Sequence, residues 1–143
     1  AGDGVESDMI KSLIMRYGLE KYFVLTGMIS DVVSLLNETY VLLVVSKIEG
    51  IPFVVLEAMS MRVPVLSLAV GGVGEVVEDG VNGFIIDPKT NSVESFTQRI
   101  LDLLKGKVDY GEMAGKARET IVSRFTLDNL SSEYQMILDE LFC

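Results

Sequence analysis

The sequence predicts an α/β protein built on a doubly wound parallel sheet. Short apolar runs of strand length alternate along the chain with segments of helical periodicity. Such alternation favours parallel strands, because the helix between two strands returns the chain to the same end of the sheet. With 143 residues, 49% hydrophobic and 23% charged, the chain has the length and composition of one globular domain with a core.

The predicted strands are apolar runs bounded by turn residues, at residues 22–25, 40–45, 63–68 and 83–86. The predicted helices cover residues 9–17, 32–36, 52–61, 91–104, 110–122 and about 126–142, with a short helix after Gly71-Gly72. Asp31 and Thr126 are typical N-cap residues. Asn91 with Glu94 resembles a capping box, and Pro52 suits a first helical position. No internal repeat or linker separates these elements.

Charge and composition exclude several classes of function. The net charge of −9 argues against nucleic-acid binding, which depends on lysine and arginine contacts to phosphate. The chain has no histidine, so histidine catalysis within it is excluded. Its single cysteine, Cys143, cannot form an internal disulfide, which fits a reducing compartment. No apolar run reaches the roughly 18 residues of a membrane span and no signal-peptide pattern opens the chain, so we expect a cytoplasmic protein.

Two glutamates, Glu49 and Glu57, lie where a predicted strand passes into a predicted helix. Open parallel sheets bind ligands beyond the carboxyl ends of their strands, at turns of this kind. Glu49 falls in the loop. Glu57 falls more than a turn into the helix, where Phe53 and Val54 at i−4 and i−3 offer it no ion pair. Glu57 could hold a diol, as acidic residues hold ribose hydroxyls, or it could be a solvated helix carboxylate.

Three glycine-containing segments could offer backbone groups to a ligand. The turn Glu49-Gly50-Ile51-Pro52 presents N–H groups at a helix N-terminus, where anions bind. Gly71-Gly72-Val73-Gly74-Glu75 could form a backbone nest, and Thr26-Gly27-Met28-Ile29 could line a base pocket after the first predicted strand. Each is also compatible with an ordinary strand-to-helix connection. The run Asp79-Gly80-Val81-Asn82-Gly83 is typical of a turn before a strand.

Four spaced motifs occur in order along the chain. They are Ser46-x-x-Glu49-Gly50-x-Pro52-x-x-x-x-Glu57-Ala58-Met59, then Val63-Pro64-Val65, Gly71-Gly72-x-x-Glu75-Val76-Val77, and Asp79-Gly80-x-Asn82-Gly83-Phe84. Together they resemble the donor-binding half of the retaining group 1 glycosyltransferases, which have the GT-B fold. The resemblance runs from the Gly2-Asp3-Gly4 loop to the Arg124-Phe125-Thr126 entry of the last helix, which is nearly the whole chain.

The resemblance implies a Rossmann-like domain over residues 1–143 that binds a sugar nucleotide as substrate, with no metal or other cofactor. By this likeness Glu57 holds the ribose diol, and Glu49 is the catalytic residue that faces the transferred sugar. Backbone N–H groups in the segment Gly50, Ile51, Pro52 and Phe53 would approach the sugar hydroxyls and the diphosphate. Pro52 contributes none of them, because proline has no N–H. Gly27, Met28 and Ile29 would lie beside the base, and Gly71 and Gly72 near the donor.

Several departures from the family pattern bear on activity. The family's basic pair for the diphosphate would lie before Ala1, where a first strand is also lacking, so we expect a domain that is incomplete at its N-terminus. Arg62 stands where the family commonly has glycine. The acceptor, a glycan or a lipid-linked glycan, would bind through an N-terminal domain outside this segment, at the cytoplasmic face of a membrane. We therefore expect this segment alone to be inactive.

Two other functions are compatible with the same fold. An epimerase would cleave a sugar nucleotide without an acceptor, but it would be expected to carry histidine, which this chain lacks. A non-catalytic interaction module could reuse the fold, since fold does not determine function. The presence of both Glu49 and Glu57 weighs against that alternative.

Overall fold

The computed structural model describes residues 4–46 and 50–142, which group into two compact units with a boundary after Leu35. The first unit contains helix α1, Ser7–Arg16, a 3₁₀ turn, Glu20–Tyr22, and the start of helix α2, Val32–Asn37. Asp31 caps α2 as predicted. Its carboxylate accepts hydrogen bonds from the amide and the hydroxyl of Ser34, at 3.0 and 2.6 Å, and these bonds lower the pKa of Asp31.

The predicted strand at residues 22–25 does not form. Tyr22 ends the 3₁₀ turn, and residues 23–27 have no regular secondary structure. Phe23 has extended torsion angles, with φ −119° and ψ 131°, and Val24 is 85% exposed. The β-rich composition therefore gives an extended backbone. A strand also needs a hydrogen-bonded neighbour, and the described residues supply no strand that pairs with this segment.

The second unit is built on a parallel sheet of three strands in the order β1-β2-β3. The strands are β1, Leu42–Val44, β2, Val65–Leu68, and β3, Gly83–Ile86. Leu43 pairs with Leu66, and Leu66 pairs with Phe84. The helices are α3, Phe53–Ser60, α4, Val73–Val76, α5, Ser92–Leu104, α6, Tyr110–Arg124, and α7, Leu127–Phe142. The α/β prediction with a parallel sheet is confirmed, although β1 and β2 are shorter than predicted.

Helices flank both faces of the sheet. On one face, Leu66, Leu68, Phe84 and Ile86 pack with Phe96 and Leu103 of α5 and with Met113 of α6. On the other face, a Cβ added to Gly74 of α4 would lie 3.9 Å from Cδ1 of Ile85. All four residues of β2 are buried, as expected for the central strand of a parallel sheet that is covered on both sides.

The turn before β3 is held by its own side chains, as its sequence predicts. The buried Asn82 accepts a hydrogen bond from the amide of Glu78 at 2.7 Å. The Asn82 amide group donates to the carbonyl of Val76 and to the hydroxyl of Thr120 in α6, both at 3.0 Å. Asp79 accepts from the amide of Ile85 at 3.0 Å. Asn82 thus ties the turn to α6 and satisfies the polar groups buried there.

The helix starts differ in how closely they follow the predictions. Thr126 accepts a hydrogen bond from the amide of Asn129 at 3.2 Å, so the predicted cap of α7 is confirmed. Asn91 is the N-cap of α5, but its side chain makes no hydrogen bond to the helix backbone. The side-chain amide of Asn91 donates instead to the carboxylate of Glu94 at 3.2 Å. The predicted capping box is therefore not formed. Pro52 is the N-cap of α3 rather than its first helical residue, because its ψ of 130° is extended.

Helix α7 is the least packed element of the second unit. None of its described residues is buried, although it carries a stripe of apolar side chains: Leu127, Leu130, Tyr134, Ile137, Leu138 and Leu141. Its junction with α6 is fixed locally, because the Asn129 side chain donates to the carbonyl of Ser123 at 2.7 Å.

Candidate functional site

The candidate site begins at the turn between β1 and α3. Glu49 lies outside the described residues, so its predicted role stays a prediction. Gly50 and Ile51 form a bend, and Pro52 caps α3 without a side-chain hydrogen bond. The amide of Val55 bonds to the carbonyl of Pro52 at 2.9 Å. The N–H groups that precede it have no intrahelical acceptor by the geometry of a helix start, so they are available to an anion or a hydroxyl.

The Gly71-Gly72 loop lies directly against this turn. The amide of Gly72 donates to the carbonyl of Gly50 at 3.1 Å. A Cβ on Gly72 would lie 2.7 Å from Cγ1 of Ile51, closer than a methyl group can approach, and Gly71 has a φ of +53° in the left-handed region. The structure thus brings together two of the three backbone segments that the sequence singles out, and it explains why both positions of this loop are glycine.

Glu57 lies one turn further along α3, on the same side as Phe53. Both residues are exposed, whereas Val55, Ala58 and Met59 face the core. Among the described residues, none forms an ion pair or a hydrogen bond with the Glu57 carboxylate. Its backbone carbonyl, by contrast, accepts from the hydroxyl of Ser60 at 2.7 Å. The carboxylate is therefore free to bind a ligand on the same helix face as the open helix start.

The third predicted segment lies in the other unit. Gly27 has a φ of +61°, and the hydroxyl of Thr26 donates a hydrogen bond to the carbonyl of Gly27 at 3.2 Å. Met28 is 79% exposed, and Ile29 is partly exposed. The backbone at Gly27 to Ile29 therefore makes a sharp turn at the surface. Its role beside a nucleotide base stays a prediction.

Glu75 belongs to the motif that begins at Gly71-Gly72, but the sequence predicts no role for it, and the structure places it beside this loop. It is exposed on α4, and one oxygen of its carboxylate lies 3.4 Å from the position that a Cβ on Gly72 would take. The sequence signal is its spacing three residues after Gly72, because a helix that starts at the loop returns position i+3 to the same side. The described residues contain neither a metal-ligand cluster of three or more acidic or thiol side chains nor a helix long and apolar enough to cross a membrane.

Comparison with known sequences and structures identifies the family. The model of the family "Glycosyl transferases group 1" matches residues 1–120. N-acetyl-alpha-D-glucosaminyl L-malate synthase of Bacillus anthracis is 29% identical over 136 residues, which is 95% of this chain and 35% of that protein. Sucrose-phosphate synthase from Thermosynechococcus elongatus has a similar structure, with a TM-score of 0.78 and 25% identity over 97% of this chain and 35% of that one.

A structure with a bound nucleotide is also similar. HepE of Anabaena in complex with UDP has a TM-score of 0.76 and 28% identity, covering 97% of this chain and 39% of that one. The same protein is known in complex with UDP-glucose, with a TM-score of 0.75 and 26% identity. This chain thus spans between a third and two fifths of the length of these relatives. The family match and the shared fold establish that the chain belongs to the group 1 glycosyltransferases, a family of transferases with the GT-B fold.

Proposed function

We propose that this chain is the donor-binding domain of a retaining glycosyltransferase that transfers a sugar from a nucleotide sugar to a glycan or lipid-linked acceptor. The observation that carries the proposal is the hydrogen bond from Gly72 to Gly50, which joins two backbone loops at the open start of α3. The carboxylate of Glu57 has no partner among the described residues, and Glu57 lies on the same helix. A nucleotide sugar offers groups that suit these features: a diphosphate for the helix start and a ribose diol for the carboxylate.

The spacing along α3 suits such a ligand. Glu57 is four residues from Phe53, or about 6 Å along the helix axis. In this proposal the diphosphate lies at the amides of the helix start, and the ribose lies over the first turn, where both its hydroxyls donate to Glu57. The donor N–H groups and the positive end of the helix dipole are fixed before the reaction, so they stabilise the charge that develops on the leaving diphosphate.

The remaining assignments follow from the family motifs. Glu49 faces the transferred sugar and is the catalytic residue, and the Gly71-Gly72 loop contacts the same sugar or the diphosphate. Gly27 to Ile29 contact the base through backbone groups. Because the similar HepE structure contains UDP, a uridine nucleotide is the first donor to test. Transfer proceeds without an obligatory metal ion, so EDTA should leave the activity of the full-length enzyme unchanged.

The test is calorimetric titration of the full-length protein with a panel of nucleotide sugars that varies base and sugar. We expect one donor to bind, and Glu57→Ala to weaken it by about ten- to hundredfold, the effect of losing a charge-assisted hydrogen bond. Glu133→Ala is the matched control, because it removes an exposed carboxylate from α7. Nucleotide affinity that is equal in the Glu57→Ala variant and the wild type would contradict the assignment.

A further inference from the structure

The C-terminal end of α3, opposite the candidate site, is bound by a side chain that is distant in sequence. Arg118, in the middle of α6, donates a hydrogen bond from its guanidinium group to the backbone carbonyl of Ser60, the last residue of α3. The last carbonyls of a helix lack intrahelical donors, and a positive charge is favourable at this end of the helix dipole. Arg118 therefore supplies both a donor and a charge to the end of α3.

The other carbonyls at this helix end are satisfied by the local turn. The amide of Val63 bonds to the carbonyl of Ala58 at 2.9 Å, and the amide of Arg62 bonds to the carbonyl of Met59 at 3.0 Å. This is a Schellman motif, with Arg62 in the left-handed conformation at a φ of +63°. The bond from Arg118 is of a different kind, because it attaches α3 to another helix.

Both helices bury mainly apolar side chains. Helix α3 buries Val55, Ala58 and Met59, and α6 buries Met113, Ala114, Ala117 and Ile121. The contact between α3 and α6 is the most extensive helix–helix contact among the described residues of the second unit. Apolar surfaces hold two helices together but resist sliding only through shape, since the hydrophobic effect is non-directional. A directional hydrogen bond at Ser60 fixes the position of α3 along its own axis.

Position along the axis matters at the other end of the helix. Helix α3 has eight residues, so it is a rod about 12 Å long; its first turn carries the open amides, and Glu57 lies one turn further on. The turn before it meets the opposite loop through the bond from Gly72 to Gly50, at 3.1 Å. An axial shift of a few tenths of an ångström at Ser60 would be transmitted to that bond, because the helix is rigid over this length.

We propose that Arg118 is a positioning residue for donor binding: it holds α3 along its axis so that the amides of its first turn stay in register with the Gly71-Gly72 loop. The proposal rests on the proposed function of the site at the start of α3. Among the described residues, Arg118 forms a hydrogen bond to Ser60 and to none of those assigned to the donor.

The experiment compares the wild-type chain with Arg118→Ala by NMR, using amide hydrogen exchange and titration with UDP-glucose. We expect the amide of Gly72 to exchange about two- to tenfold faster in the variant, an effect the size of one hydrogen bond, and the resonances of Phe53 and Val54 to shift. The affinity for UDP-glucose should fall by a similar factor. Lys116→Ala, which removes an exposed cation from the same helix, is the matched control and should change none of these.

The conservative variant Arg118→Lys keeps a cationic donor, and it should restore most of the Gly72 protection and of the donor affinity. It also keeps the proposal testable if Arg118→Ala fails to fold. Changes confined to residues 58–63, with unchanged exchange at Gly72 and unchanged affinity, would reduce Arg118 to a simple helix cap and overturn the inference. Failure of the full-length protein to bind UDP-glucose or any other donor counts against the proposed function instead, while exchange at Gly72 still decides the role of Arg118.

Discussion

The amide of Gly72 and the carbonyl of Gly50 form a 3.1 Å hydrogen bond between two loops separated by more than twenty residues of sequence. The first loop follows β1 and the second follows β2, and adjacent parallel strands bring their carboxyl ends to the same edge of the sheet. The bond is possible because Gly72 has no side chain between its backbone and Ile51.

Substitution of Gly72 should disrupt the site without unfolding the chain. A Cβ at residue 72 would lie 2.7 Å from Ile51, so Gly72→Ala must displace the turn that precedes α3. We expect at least a tenfold loss of donor affinity by calorimetry, since backbone donors are effective only in fixed positions. Gly74→Ala is the control, because its Cβ would be in ordinary contact with Ile85, 3.9 Å away. Equal losses in both variants would contradict the role of the Gly72–Gly50 contact.

Glu49 should matter for the intact donor more than for the free nucleotide. If it faces the transferred sugar, Glu49→Ala in the full-length enzyme lowers turnover by about ten- to hundredfold, while inhibition by the nucleoside diphosphate is nearly unaltered. Steady-state kinetics with product inhibition measures both quantities. Pro52→Gly is a useful comparison, because it loosens the turn without removing an N–H group. A parallel loss of donor and diphosphate affinity would move Glu49 to a nucleotide-binding or structural role.

This chain alone should bind donor weakly and transfer nothing. A net charge of −9 repels a diphosphate, and a helix end contributes only about 0.3–1 kcal/mol, so we expect a dissociation constant near 1 mM or weaker in an NMR titration. In the proposed function the acceptor binds through another domain, so this chain alone would not gain the orientation that contributes about 7–11 kcal/mol to lowering the barrier. Robust transfer by the purified chain with a labelled donor would overturn this expectation. The full-length protein should be active in the same assay.

Arg62 should be replaceable by glycine with a gain in stability. A left-handed conformation costs a residue with a side chain about 1–2 kcal/mol, and replacement by glycine removes that cost. Glycine also makes the unfolded chain more flexible, which offsets about 0.5–1 kcal/mol of the stabilisation. Arg62→Gly should therefore raise the free energy of unfolding by about 0.5–1 kcal/mol in urea titrations. The opposite substitution, from glycine to arginine, can be made at the end of α5, where Gly106 has a φ of +66°. Gly106→Arg should destabilise the chain by a similar amount, and a stabilising effect there would refute the argument.

Removal of the Asn82 side chain should be costly. Asn82→Ala leaves the amide of Glu78 and the carbonyl of Val76 without the buried side chain that satisfies both, so we expect a loss of about 2–4 kcal/mol in the free energy of unfolding. Thr120→Val removes the bond between Asn82 and α6, together with the bond from the Thr120 hydroxyl to the carbonyl of Lys116, and should cost about 1 kcal/mol. Chemical denaturation of both variants and of the double variant measures the coupling. A cost for Asn82→Ala no larger than that for Thr120→Val would show that the turn does not depend on this side chain.

Local signals in the sequence predicted much of the fold correctly. The strand at residues 83–86 and the caps Asp31 and Thr126 agree with the structure, because each depends on neighbours within a few residues. The strand predicted at residues 22–25 is wrong for the opposite reason. Its apolar β-rich residues favour an extended backbone, but a strand is completed by a partner that local sequence does not specify.

The candidate site shows the same contrast between features that local sequence predicts and features that depend on distant residues. Spacing along one helix placed Glu57 more than a turn into α3, and glycine composition marked both the Gly50 turn and the Gly71-Gly72 loop. The contact between the two loops is non-local, and so is the bond from Arg118 to Ser60, so neither could be read from periodicity. Arg62 also carries no local signal for its left-handed conformation, since glycine is the residue that normally indicates such a helix end.

The exposed apolar stripe of α7 implies that this chain does not unfold as one cooperative unit. A helix of sixteen residues that buries no described side chain depends on its own backbone bonds, and helices of this length are only marginally stable in water. Its amides should therefore exchange with solvent through frequent local opening, whereas those of β2 should exchange only when the whole sheet comes apart. Circular dichroism should accordingly record a gradual loss of helix well below the temperature at which the sheet melts.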